Sequence, residues 1–313
     1  MRILVVGAGG TGGHFGGRLL AAGRDVTFLV RPRRAAQLAA DGLVIRSRLG
    51  DAVLVSPPTV LADGIEAPFD LVLLSCKAYD LAAAIDAFAA AVGAQTAILP
   101  VLNGMRHLDA LDARFGRERV LGGQCVIAAT LDEAGRVVHL NEAHSLTFGE
   151  RDGGMSERIR RIADAFAGAN FDSRPSATAA QDMWEKWVAL ATLAAGTCLM
   201  RAAIGDIVGA PAGTAILAGL FAECAAIAAA NGHAPRPDVA TRMQVLLLQP
   251  GSTLTASMLR DVERNGPTEA DHILGDLLAR GATPGDGTPS LLQVAYAHLK
   301  AYEARRMRES AGA

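Results

Sequence analysis

The first half of the chain alternates between short apolar runs and helical stretches. Short apolar runs bounded by glycine or polar residues are typical of buried strands. They lie at residues 2–6, 25–30, 71–75, 97–101, 120–129, 137–140 and 145–148. Helical patterns at 11–22 and 80–92 separate members of this series. Strands that alternate with helices favour an α/β fold with a doubly wound parallel sheet.

The pattern changes after about residue 175. From residue 177 to residue 309 the chain carries long helical stretches with almost no strand signal. We therefore predict an N-terminal sheet domain at residues 1–176 and a C-terminal all-helical domain at residues 177–313. The length of 313 residues agrees with roughly two domains of ordinary size.

Composition and charge narrow the class of protein. Hydrophobic residues make up 50% and charged residues 20%, which is ordinary for a globular core and excludes a disordered chain. The net charge of −2 lacks the basic excess of a nucleic-acid binder. The apolar stretch 207–230 contains Pro211 and Glu223, which favours a buried helix over a membrane span. We therefore expect neither nucleic acid nor membrane as a partner.

The cysteines indicate the compartment and the absence of a metal motif. No two of them form a CxxC pair, so neither a zinc site nor a redox pair is predicted. They are Cys76, Cys125, Cys198 and Cys224. Isolated thiols fit a reducing environment, and we expect a cytoplasmic protein with no metal site.

A glycine-rich motif follows the first predicted strand and opens the first predicted helix. Its members are Gly7, Gly9, Gly10, Thr11 and Gly12, in a GxGxxG pattern. The first glycine allows a tight turn, the second lets a pyrophosphate approach the backbone, and the third lets helix and strand pack closely. The helix N-terminus offers N–H groups to the phosphates. The motif predicts dinucleotide binding, with a purely structural turn as the alternative.

The end of the second predicted strand indicates which dinucleotide binds. An NAD site places Asp or Glu there to bind the ribose 2′-hydroxyl. This chain has Arg31 there, followed by Arg33 and Arg34. A guanidinium pairs well with the 2′-phosphate that distinguishes NADP. We expect NADPH, with Arg31 on the phosphate, whereas a solvated surface cluster is the alternative.

Four further short motifs lie along the rest of the chain. They are Cys76-Lys77-Ala78-Tyr79, Leu102-Asn103-Gly104-Met105, Trp184-Glu185-Lys186, and Ser257-Met258-Leu259-Arg260-Asp261 leading to Thr268-Glu269. With the glycine motif, their order and spacing resemble the ketopantoate reductase (2-dehydropantoate 2-reductase) family over essentially the whole chain. The resemblance implies a Rossmann domain joined to a helical domain. It also implies NADPH-dependent reduction of a 2-oxo acid, and 2-dehydropantoate in pantothenate biosynthesis is the substrate we expect first.

The resemblance assigns further coenzyme contacts. Lys77 and Asn103 follow predicted strands at the carboxyl edge of the sheet, where ligands bind in this fold. The family's lysine contacts the cofactor, and its asparagine contacts both cofactor and substrate. Ala129 is placed against the cofactor by similarity alone. An exposed strand-end lysine and an ordinary Asn-Gly turn are the alternatives.

Hydride delivery to a ketone leaves an alkoxide, which needs a proton. Lys186 precedes the apolar stretch 187–200, and burial there would lower the pKa of its ammonium group. A lysine that reaches out to water is the alternative. The resemblance makes Lys186 the catalytic proton donor and a substrate contact. It implies that Glu269, the second catalytic residue, positions substrate and lysine, and that Ser257 binds substrate. A first-turn helix carboxylate and a surface serine are the alternatives.

The chain departs from the family pattern near Lys186. Leu190 and Ala194 lie on the same helical face, and with Ile204 they are apolar where ketopantoate reductases carry asparagines. Thr197, on about the same face, is the remaining predicted hydroxyl contact to substrate. Loss of the amides lowers discrimination for ketopantoate. A more apolar 2-oxo acid, or a non-catalytic NADP-binding sensor, is the alternative function. We expect a small-molecule substrate as partner and leave a homodimer open.

Overall fold

The computed structural model describes residues 1–282 and 287–311. They group into two compact units, which are described separately. The first comprises Met1–Leu102 and His107–Ala180, and the second comprises Asn103–Arg106 and residues 181–311. The domain division after residue 176 stays a prediction. The sequence analysis did not foresee that Asn103–Arg106 groups with the later residues.

The first unit contains strands in two sheets and helices around them. The strands are β1 (Arg2–Val6), β2 (Asp25–Leu29), β3 (Leu43–Arg46), β4 (Ala52–Leu54), β5 (Thr59–Val60), β6 (Leu71–Leu74), β7 (Ala97–Pro100), β8 (Gly122–Leu131), β9 (Val137–Gly149) and β10 (Asp172–Pro175). The helices are α1 (Gly10–Ala21), α2 (Pro32–Asp41), α3 (Leu81–Phe88), α4 (Arg106–Phe115) and α5 (Glu157–Phe166).

The first sheet is parallel, with strand order β5-β2-β1-β6-β7. Strand β1 lies between β2 and β6, so that Ile3 is paired with Val26 on one side and with Leu71 on the other. All four residues of β6 are buried. Burial on both faces explains why these strands appear in the sequence as continuous apolar runs. The predicted α/β fold with a doubly wound parallel sheet is confirmed.

A second sheet has strand order β10-β9-β3-β4, with β8 paired antiparallel to β9. Strands β8 and β9 cover the three apolar runs predicted between residues 120 and 148. The sequence analysis did not predict β3 or β4, nor a separate sheet. Strand β3 pairs with β9 through Ile45 and Val137, which are far apart in sequence. Such long-range pairing leaves no local signal in the hydrophobic pattern.

Helix α1 packs against both sheets. A β carbon on Gly16 would lie 2.7 Å from the Phe28 ring and 2.9 Å from Val5, both in the first sheet. A β carbon on Gly17 would lie 2.7 Å from Ile45 in the second sheet. Because real β carbons do not approach other atoms so closely, larger residues here would push the helix off one sheet.

The second unit is helical. After residue 175 the described part of the chain contains no strand, which confirms the predicted all-helical region. Besides a π-helical turn at Asp271–Gly275, its helices are α6 (Ala179–Met200), α7 (Ile204–Gly209), α8 (Gly213–Ala230), α9 (Pro237–Leu247), α10 (Ser257–Glu263), α11 (Asp276–Ala279) and α12 (Leu291–Ala311).

The apolar stretch 207–230 forms two helices rather than one. Pro211 lies between α7 and α8, and proline cannot continue a helix because it lacks an N–H group. Within the described residues, α8 alone is long and apolar enough to span a membrane, a criterion of length and composition that core helices also meet. A third of α8 is buried, and it packs against α7 and α12.

Candidate active site

The glycine motif forms a tight turn between β1 and α1. Gly7 has a φ of +92°, a conformation that other residues rarely adopt. A β carbon on Gly12 would overlap the Gly7 carbonyl oxygen and the Ser75 hydroxyl. By contrast, nothing lies within 4 Å of a β carbon on Gly9. The turn is closed on the side of the sheet and open at Gly9, as a backbone that approaches a pyrophosphate requires.

Other predicted coenzyme contacts lie beside this turn. A β carbon on Gly10 would lie 2.7 Å from the carbonyl oxygen of Ala129 in β8. Thr11 follows in the first turn of α1 and is half-buried. Lys77, also half-buried, comes two residues after Ser75, whose hydroxyl donates to the Val6 carbonyl at 2.9 Å. The structure therefore brings Ala129 and the chain leading to Lys77 to the glycine turn.

The three arginines after β2 have different surroundings. The Arg31 side chain is 76% exposed and forms an ion pair with Asp80 at 2.6 Å. Arg33 is also exposed. Arg34 is half-buried and donates to the carbonyl oxygens of Ala8 and Gly135, each at 2.9 Å. Arg34 thus supports the glycine turn through its hydrogen bond to Ala8. Arg31, at the end of β2, has the guanidinium group that faces solvent.

Lys186 and Asn103 meet within the second unit. The Lys186 ammonium donates to the Asn103 side-chain oxygen at 3.1 Å. The neighbouring residue, Gly104, has a φ of +75°, and a β carbon there would lie 2.7 Å from the His272 carbonyl oxygen. The amide oxygen orients the ammonium without neutralising its charge.

His272 was missed by the sequence analysis. Its side chain is buried and hydrogen-bonds with the backbone of Asn103. Burial lowers the pKa of His272, whereas the nearby charge of Glu269 acts in the opposite direction. A neutral imidazole at this place supports the turn that holds the Asn103 amide. A lone histidine in a short helical segment gives no signal in the sequence by which this role could be found.

The remaining predicted substrate contacts differ in exposure. Glu269 is buried, and Ser257 is half-buried at the start of α10. Thr197 is fully buried, donates its hydroxyl hydrogen to the Leu193 carbonyl at 2.7 Å and accepts from the Ala256 N–H at 3.4 Å. Its hydroxyl therefore joins α6 to the residue before Ser257, which supports the start of α10 from inside the unit.

The three apolar replacements also differ. Ala194 and Ile204 are buried, with exposed fractions of 1% and 0%. Leu190, one helical turn after Lys186, is half-buried. Of the three, Leu190 is the one that is not fully buried, and its spacing of four residues from Lys186 puts it on the same face of α6.

A buried ion pair anchors α6 next to Lys186. The Glu185 side chain is 4% exposed and accepts hydrogen bonds from the Arg236 N–H and Nε, each at 2.8 Å. Burial by itself raises the pKa of Glu185, but the hydrogen bonds from Arg236 outweigh it and the pKa is lowered. Glu185 is therefore a carboxylate at neutral pH. The sequence analysis did not identify Arg236, whose pairing depends on tertiary contact.

Comparison with known proteins identifies the family to which the chain belongs. The family model described as Ketopantoate reductase PanE/ApbA matches residues 3–153, and the model of its C-terminal domain matches residues 178–303. The chain belongs to the ketopantoate reductase family. The resemblance inferred from the short motifs is thereby confirmed.

Individual relatives agree with this membership. An oxidoreductase of Bacillus subtilis named YkpB, described as uncharacterized, is 36% identical over 306 residues, which cover 98% of this chain and all of the relative. A crystal structure of 2-dehydropantoate 2-reductase from Methylococcus capsulatus is 28% identical, with a TM-score of 0.84 and 98% of each chain covered. D-mandelate dehydrogenase, solved with NADH and anilino(oxo)acetate, has the same fold (TM-score 0.85, 21% identity, 98% of this chain and 99% of the other). Members of the ketopantoate reductase family are oxidoreductases.

Replacing Arg236 with Met tests the anchor of α6. The variant leaves the buried Glu185 carboxylate without its main donor, so we expect a loss of about 1–3 kcal/mol in the free energy of unfolding at pH 7. Because the folded-state pKa of Glu185 lies below its ordinary value of 4.5, the pair stabilises the protein above that pH. Its contribution is lost as the pH falls through the lowered pKa, so the difference from the unmodified protein should shrink there.

Urea denaturation at several pH values measures this difference. The matched control is Arg242→Met, which removes an ion pair to Asp238 in which both side chains are about two-thirds exposed. We expect that control to change the free energy of unfolding by less than about 1 kcal/mol. Equal losses in the two variants, or a loss independent of pH, would contradict the assigned role of Glu185.

Proposed function

We propose that the chain is an NADPH-dependent 2-oxo acid reductase, with 2-dehydropantoate as its substrate in the cytoplasmic synthesis of pantothenate. The observation that carries the proposal is the hydrogen bond from the Lys186 ammonium to the Asn103 side-chain oxygen at 3.1 Å, in a chain that both family models match. A proton donor has no purpose in a protein that only senses a dinucleotide. A cytoplasmic location is supported by the four cysteines, which all lie among the described residues and form no disulfide.

The residues of the first unit fit a phosphorylated nicotinamide coenzyme. The open turn at Gly9 and the N–H groups at the start of α1 would bind the pyrophosphate. Arg31 would pair with the 2′-phosphate, and Lys77 and Ala129 would contact the rest of the coenzyme. Asn103, which groups with the second unit, would be a further coenzyme contact. When bound, the coenzyme supplies the hydride.

The residues of the second unit would complete the reaction. Lys186 donates a proton from its ammonium group to the carbonyl oxygen of the substrate as that oxygen becomes an alkoxide. Asn103 keeps the ammonium oriented, and Glu269 positions substrate and lysine. Ser257 would bind the substrate carboxylate or hydroxyl. One hydride and one proton convert the 2-oxo acid into the 2-hydroxy acid.

Two substitutions of Lys186 test the proton donor. Lys186→Met removes the cation, whereas Lys186→Arg keeps a cation that cannot release a proton near neutral pH. We expect both to lower kcat by about 100- to 10,000-fold, because a positioned general acid contributes that much. The KM for the 2-oxo acid should rise in the Met variant and stay nearly unchanged in the Arg variant.

Loss of NADPH absorbance measures turnover, and fluorescence titration measures NADPH binding, which both variants should retain. Full activity in Lys186→Arg would exclude Lys186 as the acid. If the unmodified protein bound NADPH but reduced none of a panel of 2-oxo acids, the non-catalytic sensor would be the correct function.

The coenzyme preference depends on Arg31. We expect Arg31→Ala to raise the Kd for NADPH by about tenfold or more, because a hydrogen bond to a charged group contributes about 1.5–3 kcal/mol. The Kd for NADH should hardly change, because NADH lacks the 2′-phosphate. Arg33→Ala serves as the control from the same exposed segment, with a smaller effect. Equal losses for both coenzymes in Arg31→Ala would place the 2′-phosphate elsewhere.

Reduction of a more apolar 2-oxo acid is the second candidate function, and half-buried Leu190 favours it. A leucine beside the ammonium removes a hydrogen-bond donor that ketopantoate would use and offers apolar contact instead. We expect Leu190→Asn to raise kcat/KM for 2-dehydropantoate and to lower it for an aromatic 2-oxo acid. Kinetics of both proteins with both acids measure the ratio. A preference of the unmodified protein for 2-dehydropantoate would reject this second candidate.

A further inference from the structure

We propose that His14, His139 and His144 form a binding site for one Zn²⁺ ion inside the first unit. His14 lies on α1, one turn after Gly10, and the other two lie on β9. Each ring offers one nitrogen atom, and the three nitrogen atoms lie within 4.8 Å of one another. None of these residues belongs to the active site described above, and the sequence analysis expected no metal site.

His14 is the residue that points most strongly to a ligand. Its side chain is fully buried, and neither ring nitrogen has a hydrogen-bond partner among the described residues. A neutral imidazole carries one N–H group and one lone pair, and burying both without partners is unfavourable. The ring centroid lies 4.8 Å from that of His139 and 5.6 Å from that of His144. A metal ion between the rings would use the lone pair that the protein leaves unsatisfied.

His139 is already oriented as metal-binding histidines usually are. Its Nε2 faces two acceptors, the Ala143 carbonyl at 3.0 Å and the Asn141 side-chain oxygen at 3.1 Å, so Nε2 carries the hydrogen. The lone pair is therefore on Nδ1, which accepts from the Ser47 hydroxyl at 2.9 Å. A histidine that donates one N–H to a backbone carbonyl presents its other nitrogen to the metal in a fixed direction. A metal ion would displace the Ser47 hydroxyl from Nδ1.

An irregularity in β9 brings the second and third histidines together. Ala129 of β8 pairs with His139, and Ile127 pairs with His144, so two steps along β8 match five along β9. The four residues 140–143 of β9 therefore lie opposite the single residue Ala128 of β8, so β9 carries three extra residues. In a regular strand, residues five apart point to opposite faces, but this bulge stacks the two rings with centroids 5.5 Å apart. His144 is half-buried, and its Nδ1 also has no partner among the described residues.

Burial lowers the pKa of two of the three histidines, His14 and His144. Burial first, and then the charges of His139, Arg18 and His144, lower the pKa of His14 to about 3. Burial also lowers the pKa of His144, with Asp172 acting in the opposite direction. Neutral imidazole is the form that binds metal. The Arg18 guanidinium repels a cation, and Asp51 and Asp172 partly offset that repulsion.

The donor set selects the kind of metal. Three imidazoles with one open position match zinc, whereas Mg²⁺ and Ca²⁺ prefer oxygen ligands. Bound between α1 and β9, the ion would join the helix that begins at the glycine turn to the second sheet. Nothing in the proposed reduction requires this ion.

Metal binding is tested on the full chain after treatment with a chelator. We expect calorimetric titration with Zn²⁺ to give one site per chain and Zn²⁺ to raise the Tm. Co²⁺, used as a visible probe, should give the absorption bands of a nitrogen-ligated ion. His144→Gln and His14→Gln should each weaken Zn²⁺ binding by about 100-fold or more, since loss of even an outer partner costs 10- to 100-fold.

His298→Gln is the matched control. His298 lies in α12 of the other unit, is half-buried, and has a ring nitrogen without a partner among the described residues. The proposed site would be overturned if the unmodified protein did not bind Zn²⁺. It would also be overturned if His144→Gln bound Zn²⁺ as tightly as the unmodified protein, or if His298→Gln lost Zn²⁺ binding. His144 is partly exposed, so this variant decides the question even if His14→Gln does not fold. None of these measurements uses turnover, so their failure is separate from failure of the proposed reductase.

Discussion

The close approach of helix α1 to two sheets at once is the constraint on which the first unit depends. Glycine is required at Gly16 by the first sheet and at Gly17 by the second. A β carbon on Gly13 would also lie 2.7 Å from Val137 of β9. Because the helix is fixed on both sides, its N-terminus is held at the end of β1, where a phosphate would meet its N–H groups. The glycines at 13, 16 and 17, which follow the fingerprint, thus serve packing.

The same packing explains the position of the histidine cluster. Residues that face the second sheet from α1 occur every third or fourth position, and His14 follows Gly10 and precedes Gly17 in that series. Gly10 and Gly17 allow α1 to lie close to the second sheet. Between them, His14 places its imidazole against the bulge of β9. A buried polar side chain at this point needs a partner that the strands themselves do not supply.

In the second unit, two consecutive residues of α6 differ in charge, burial and partner. Glu185 is buried and fixed by Arg236, whereas Lys186, about 100° further around the helix, is half-buried and donates to Asn103. A carboxylate so well satisfied by Arg236 is a structural support, whereas the ammonium group of the next residue donates to the Asn103 amide oxygen. One helix thus carries both a buried carboxylate in an ion pair and a half-buried ammonium group.

The sequence by itself determined the parallel sheet, the helical second half, the glycine turn and the family. All of these follow from hydrophobic period, backbone conformation or short motifs, which are local properties of the chain. Only the tertiary structure decided that Arg34 supports the glycine turn, that Arg236 pairs with Glu185, and that Asn103 groups with the second unit. It also decided the second sheet and the meeting of His14 with β9. These contacts join residues far apart in sequence, and their free energy depends on burial and partners that exist only after folding.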